Sequence, residues 1–171
     1  MPVSYGENRV SYKQWLRDKQ PKTFLDIGMG YGELGKMAKA VLPDIELTGV
    51  EIFLPYLVHE RSNVKLYKTV VLGDMRELIG KLWAHDVIIA FDVIEHMHRE
   101  DGLAVIDYLR ALANFGLLVS VPIKLYPQGA VNGNAAEEHL DQWSVQEMQA
   151  IGGVPVHIGE VVGTFEFKRG I

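Results

Sequence analysis

The sequence predicts an α/β protein in which a mostly parallel sheet lies between two helical layers and is closed by one antiparallel strand. Three observations carry this. Short β-branched and apolar runs alternate with segments of helical periodicity along most of the chain. One run, Phe24-Leu25-Asp26-Ile27, ends beside a carboxylate and passes through Gly28-Met29-Gly30-Tyr31-Gly32 into an amphipathic helical pattern. Near the C-terminus, two β-rich runs meet at Gly163 over so short a connection that they must pair antiparallel.

Each element has its own signal. Ser11 and Gln14 have the spacing of a capping box, with Val10 and Trp15 placed as a hydrophobic staple, so a helix is expected over 12–19, stopped by Pro21. Strand one is expected over 23–27. Helix 33–42 follows, with Leu34, Met37, Ala38 and Val41 at i, i+3, i+4 and i+7. Strand two covers 46–52, and Pro55 suits the first turn of a short helix through residue 60. Strand three is expected over 65–72 and a short helix over 76–82. Strand four, 86–91, is continuous and β-branched, as a strand covered on both faces should be. Helix 102–114 presents Val105, Ile106, Leu109, Leu112 and Ala113 on one face, and strand five covers 117–121. Ser144 and Glu147 form a second capping box, flanked by Trp143 and Met148, for a helix that ends at Gly152-Gly153. Strands over 156–162 and 164–168 complete the pattern.

The whole chain, residues 1–171, reads as one domain, with no repeat or linker. Residues 1–20 form an N-terminal helix and lid segment. Residues 122–142 exceed the usual connection length and leave the sheet on the side of the glycine turn, so a loop over the site is expected. The net charge of −5, without a run of like charges, argues against a nucleic-acid partner. With no cysteine, disulfides, thiol nucleophiles and cysteine–zinc sites are excluded. Residues 1–20 hold no apolar signal core, and the longest apolar run, Val87 to Phe91, is too short to span a membrane. A soluble cytoplasmic protein without a membrane partner is the expectation, as a monomer or a homodimer.

The glycine turn marks a ligand site. A strand, a glycine bend and a helix N-terminus bring backbone N–H groups and the positive end of a helix dipole to one place. A side chain there would block both the bend and the ligand's approach. Gly30-Tyr31-Gly32-Glu33-Leu34-Gly35 also matches the dinucleotide pattern G-x-G-x-x-G. The frame argues otherwise, because the turn already opens at Gly28 behind Asp26, and a carboxylate there would repel a pyrophosphate. It suits a ligand with an amino group.

Asp26 through Gly32 resembles the first motif, D-x-G-x-G-x-G, of class I S-adenosylmethionine-dependent methyltransferases. The resemblance implies a Rossmann-like three-layer αβα sandwich with seven strands in the order 3-2-1-4-5-7-6, the seventh antiparallel, and S-adenosylmethionine as cofactor. It implies that Asp26 holds the methionine amino group, directly or through water, and that Gly28, Gly30 and Gly32 let the backbone approach. Glu51 ends strand two, where an acid about 20 residues past a glycine turn accepts from ribose hydroxyls, and Ile52 would lie against the adenine. By resemblance, Asp74 would accept from the adenine amino group beside Met75, and Phe91 or Asp92 would border the methionine part. Asp74, with Glu77 three residues on, also suits a helix cap. Catechol-type family members bind magnesium through an Asp-Asn pair after strand five, which Val121-Pro122-Ile123-Lys124 does not supply, so no metal is expected.

Methyl transfer is an in-line displacement that chiefly demands alignment. A base is needed only where the acceptor must lose a proton, and histidine suits that near neutral pH. Glu95-His96, in Phe91-Asp92-Val93-Ile94-Glu95-His96, and His139, in His139-Leu140-Asp141-Gln142-Trp143-Ser144, are the candidate acid–base groups, with His96 and His139 the candidate catalytic residues. A backbone-satisfying role for His96 and packing beside Trp143 for His139 are the structural alternatives. Tyr126, His139 and Trp143 are expected to shape an acceptor pocket, with Tyr5 and Tyr12 closing the other side. The reading is a methyltransferase with a small-molecule acceptor. Its rivals are a nicotinamide-dependent oxidoreductase and a non-catalytic S-adenosylmethionine-binding module.

Overall fold

The computed structural model describes residues 6–169 and joins seven strands into one sheet: β1 (Thr23–Ile27), β2 (Glu46–Glu51), β3 (Thr69–Leu72), β4 (His85–Phe91), β5 (Ala113–Pro122), β6 (Val154–Ile158) and β7 (Val162–Phe167). Their order is β3-β2-β1-β4-β5-β7-β6. The first five are mutually parallel, and β7 runs antiparallel to both neighbours. Helices α1 (Arg9–Lys19), α2 (Glu33–Val41), α3 (Leu54–Val58), α4 (Arg99–Leu112) and α5 (Val145–Ala150) complete the described elements. None is long and apolar enough to cross a membrane.

Successive strand residues point to opposite faces, so strands covered on both sides are apolar at most positions. In β1, Leu25 and Ile27 join a core with Val105, Ile106 and Leu109 of α4, Trp143 and Phe165. Phe24 faces the other way, into a core with Tyr12, Trp15 and Leu16 of α1, Ala38 of α2 and Tyr67. The Ser144 capping box forms as expected: its hydroxyl accepts from the Glu147 amide, and Glu147 accepts from the Ser144 amide. Trp143 and Met148 both lie in the α4-side core.

Several expectations are corrected. No box forms at Ser11, because α1 already begins at Arg9, behind a short 3-10 turn over Gly6–Asn8. Val10 is 79% exposed and staples nothing. Docking of the Tyr12–Trp15–Leu16 stripe sets where α1 lies, and Asn8 is drawn inward to donate to Ser120 Oγ (3.0 Å) and Thr164 Oγ1 (2.9 Å). The segment 76–82 makes turns only, with the amides of Glu77 and Leu78 both donating to the Asp74 carbonyl. Strand β3 starts at Thr69, after a 3-10 turn over Val64–Leu66. α4 begins at Arg99, and the chain from Ala113 is already strand. Gly163 is not the hairpin turn. It pairs with Val121 and Ile158 inside β7, where an added Cβ would lie 2.8 Å from Ile123 and from the Phe165 ring. The chain reverses at 159–161 instead. Opposite β7, strand β6 has an irregular register between Pro155 and His157.

Candidate functional site

The site is built where β1, β2, β3 and β4 end. The chain leaves β1 through Gly28, Gly30 and Gly32, all in the left-handed region at φ +68°, +52° and +75°. The amides of Gly28 and Met29 donate to the Val50 carbonyl at the end of β2, fixing the bend. Gly28 lies so close to Val93 that a Cβ would come within 2.5 Å of its methyl group. Gly32 is the N-cap of α2.

Glu51 ties this turn to the neighbouring strand. One carboxylate oxygen accepts from the Gly30 amide and the other from the Phe53 amide, each at 2.8 Å. Burial raises its pKa, and those two amides pull it back in part.

A cavity of about 380 Å³ opens at this sheet edge, within the usual range for small-molecule sites. It brings together Gly28, Gly30, Glu51, Ile52, Asp74, Met75, Phe91, Asp92 and His96. Asp74 is held by Arg76, whose guanidinium donates to both carboxylate oxygens and holds the carboxyl below its usual range. Met75 is buried. Asp92 has φ +54°, a backbone conformation that side-chain-bearing residues adopt at a cost, often at ligand sites.

Asp26, Gly32 and His139 do not line the cavity. Asp26 points to the α2 side of the sheet, where the Tyr67 hydroxyl donates to it. Burial pushes its pKa up to about 7, against the pull of that hydrogen bond. Tyr67 fits against backbone on both sides, since a Cβ on Gly35 would lie 2.1 Å from its hydroxyl and one on Gly49 about 3.1 Å from its ring.

The segment 122–142 covers the cavity: Asn134 to Glu138 and Leu140 line it. Glu137 is buried and accepts from the Tyr56 hydroxyl at 2.9 Å, which joins the segment to α3. The Leu140 and Asp141 amides donate to the Glu95 carbonyl at 2.8 and 3.1 Å. His96 and His139 meet edge to face, with ring centres 4.9 Å apart. The Nδ1 atoms of His96 and His139 lie 3.0 and 2.6 Å from the carbonyls of Glu138 and Tyr126. Burial lowers both imidazole pKa values. Glu95 is fully enclosed, and burial followed by the nearby Asp92 charge raises its carboxyl.

Trp143 and Tyr12 are not pocket residues. Trp143 is buried under Arg99, whose guanidinium lies 3.9 Å from the ring centre. Tyr12 is buried on the opposite face and donates to the Leu34 carbonyl. Tyr5 falls outside the described residues. Sequence reasoning missed Tyr56, Tyr67 and Glu137. Tyr67 and Glu137 carry no local pattern, because their partners are distant in the chain. Glu95, named with His96 from the motif, is buried beside it.

Solved structures share this architecture. Magnesium protoporphyrin IX methyltransferase from Synechocystis PCC 6803 with bound SAH matches at TM-score 0.68 and 18% identity, over 94% of this chain and 81% of that one. Human N-acetylserotonin methyltransferase in complex with SAM matches at TM-score 0.70 and 14% identity, over 96% of this chain and 52% of that one. The fold is that of the class I methyltransferases. The methyltransferase domain of the bacterial protein CtHen1-C matches at TM-score 0.67 and 18% identity, over 95% of this chain and 97% of that one. The chain thus spans nearly the whole of that bacterial domain and about half the length of the human enzyme. No protein-family model and no curated protein sequence matches the chain.

Proposed function

We propose that the protein transfers a methyl group from S-adenosylmethionine to a small-molecule acceptor. The observation that carries this is Glu51, buried at the tip of β2 and bonded to the Gly30 amide, on the wall of the cavity. Each carboxylate oxygen there already accepts one amide and keeps a second lone pair. Glu51 would accept from the ribose hydroxyls with those lone pairs while it holds the glycine turn in shape. Ile52 and Met75 offer apolar faces to the adenine beside Asp74. Phe91 and Asp92 border the methionine end. Asp26 acts from behind the turn as a positioning group for the amino-group site, through water and backbone rather than by side-chain contact.

When bound, the cofactor supplies an electrophilic methyl carbon. What the chain adds is alignment and exclusion of water, with 134–140 as the cover. His96, on the cavity wall, would supply chemistry at the acceptor end, with His139 packed against it from behind. Each Nδ1–H donates to a backbone carbonyl, so each neutral ring keeps its Nε2 lone pair for a proton or an electrophile.

Calorimetry tests the reading. The chain should bind S-adenosylmethionine and not NAD, and Glu51→Ala should weaken that binding at least about tenfold, the loss of one or more charge-assisted hydrogen bonds. Binding of NAD in its place, or full affinity in the Glu51→Ala chain, would overturn it. Labelled-methyl transfer into a metabolite extract separates an enzyme from a binding module.

A further inference from the structure

We infer that Glu95, His96 and His139 form a site for one divalent cation beside the cavity, next to the wall that His96 lines. One ligand atom from each lies within 4.8 Å of the other two. Three features make this a built site.

The first is the histidine geometry. Nδ1 of His96 faces the Glu138 carbonyl and Nδ1 of His139 the Tyr126 carbonyl, at 3.0 and 2.6 Å. Those bonds fix the tautomer and leave both Nε2 lone pairs available, the arrangement by which backbone carbonyls orient metal-bound imidazoles. The second is Glu95. Its side chain is 1% exposed, and neither carboxylate oxygen meets a hydrogen-bond donor from another described residue. An enclosed carboxyl that no other residue reaches is costly, and a cation offsets that cost. The third is the backbone. The Glu95 carbonyl accepts from the amides of Leu140 and Asp141, so the strand-four turn and the segment bearing His139 are joined beside the cluster.

The donor set selects the ion. Two imidazole nitrogens and one carboxylate oxygen suit Zn²⁺, Co²⁺, Fe²⁺ or Mn²⁺ better than Mg²⁺ or Ca²⁺, which favour oxygen alone. An ion at about 2.1 Å from each donor holds neighbouring donors roughly 3–3.5 Å apart, so binding draws the widest-spaced donors together. Three protein ligands leave coordination positions open. His96 also lines the cavity, so those positions border the space for the acceptor. An acceptor with an oxygen donor, a hydroxyl above all, would complete the shell and release its proton to solvent more readily there. This last step rests on the methyltransferase reading; the ion site does not.

The test uses the whole chain, stripped with a chelator and titrated with Co²⁺, read by d–d absorption and calorimetry. One ion per chain should bind. Glu95→Gln and His139→Gln should each weaken binding at least about tenfold, while His98→Gln, at an exposed position, should leave it unchanged. No binding beyond that of a His96→Gln/His139→Gln chain, or binding indifferent to these substitutions, overturns the site. Melting curves report whether each variant folds, and if Glu95→Gln does not, His139→Gln decides. S-adenosylmethionine titrated into the same samples separates the two readings. Cofactor binding without Co²⁺ binding sinks the ion site alone, and Co²⁺ binding without cofactor binding sinks the methyltransferase reading alone.

Discussion

Asp26 is a carboxyl enclosed by protein, with the Tyr67 hydroxyl as its hydrogen-bond donor. Its pKa rises from 3.8 to about 7, with burial the main cause. The folded chain therefore keeps a proton that the unfolded chain has already lost, so unfolding releases a proton between these two values. Stability falls as pH rises through that window and levels off above it. Glu51 is shifted in the same direction. Asp26→Asn should flatten part of this slope, which urea denaturation at about pH 5 and pH 7.5 would read as a smaller difference in midpoint. The position of Asp26 at a glycine turn is legible in its motif, and the direction of its side chain is a matter of strand parity. Asp26 shares a face with Phe24, two residues before it, and that face lies toward α1 and α2.

The elements differ in how plainly they can be read. Strands β1 and β4 and helix α2 follow the expected bounds closely, because their apolar periodicity is the same force that buries them. Where a local signal competed with tertiary contact, contact prevailed. Ser11 had the spacing of a cap, yet the apolar stripe of α1 extends the helix two residues past it toward the N-terminus. At Ser144 the signal and the packing agree, since Trp143 and Met148 are buried on either side of the cap. Ser144→Ala should lower unfolding free energy by about 1 kcal/mol, measured by denaturant titration. The turns over 76–82 show the converse: apolar residues at suitable spacing make no helix when the chain must hug the end of the sheet, with Leu78 and Leu82 packed against the core.

On the scale of the whole molecule, parallel strands deliver glycines, acids and histidines from separate parts of the chain to one edge of the sheet. The sequence disclosed that convergence, because each motif follows a strand. It did not disclose what fastens the cover, since Tyr56 and Glu137 are 81 residues apart. Tyr56→Phe removes that hydrogen bond to a buried carboxylate. The cover should be destabilised locally by about 1–2 kcal/mol, seen as hydrogen exchange roughly tenfold faster at amides 134–140, with little change elsewhere.

The irregular pairing of β6 at Pro155 bears on how copies of the chain treat one another. A proline offers no N–H, and a kinked outer strand makes a poor template for another strand to extend. That margin is thereby guarded against the strand-by-strand addition that begins aggregation. Replacing Pro155 with a β-branched residue would restore the missing donor and invite such stacking.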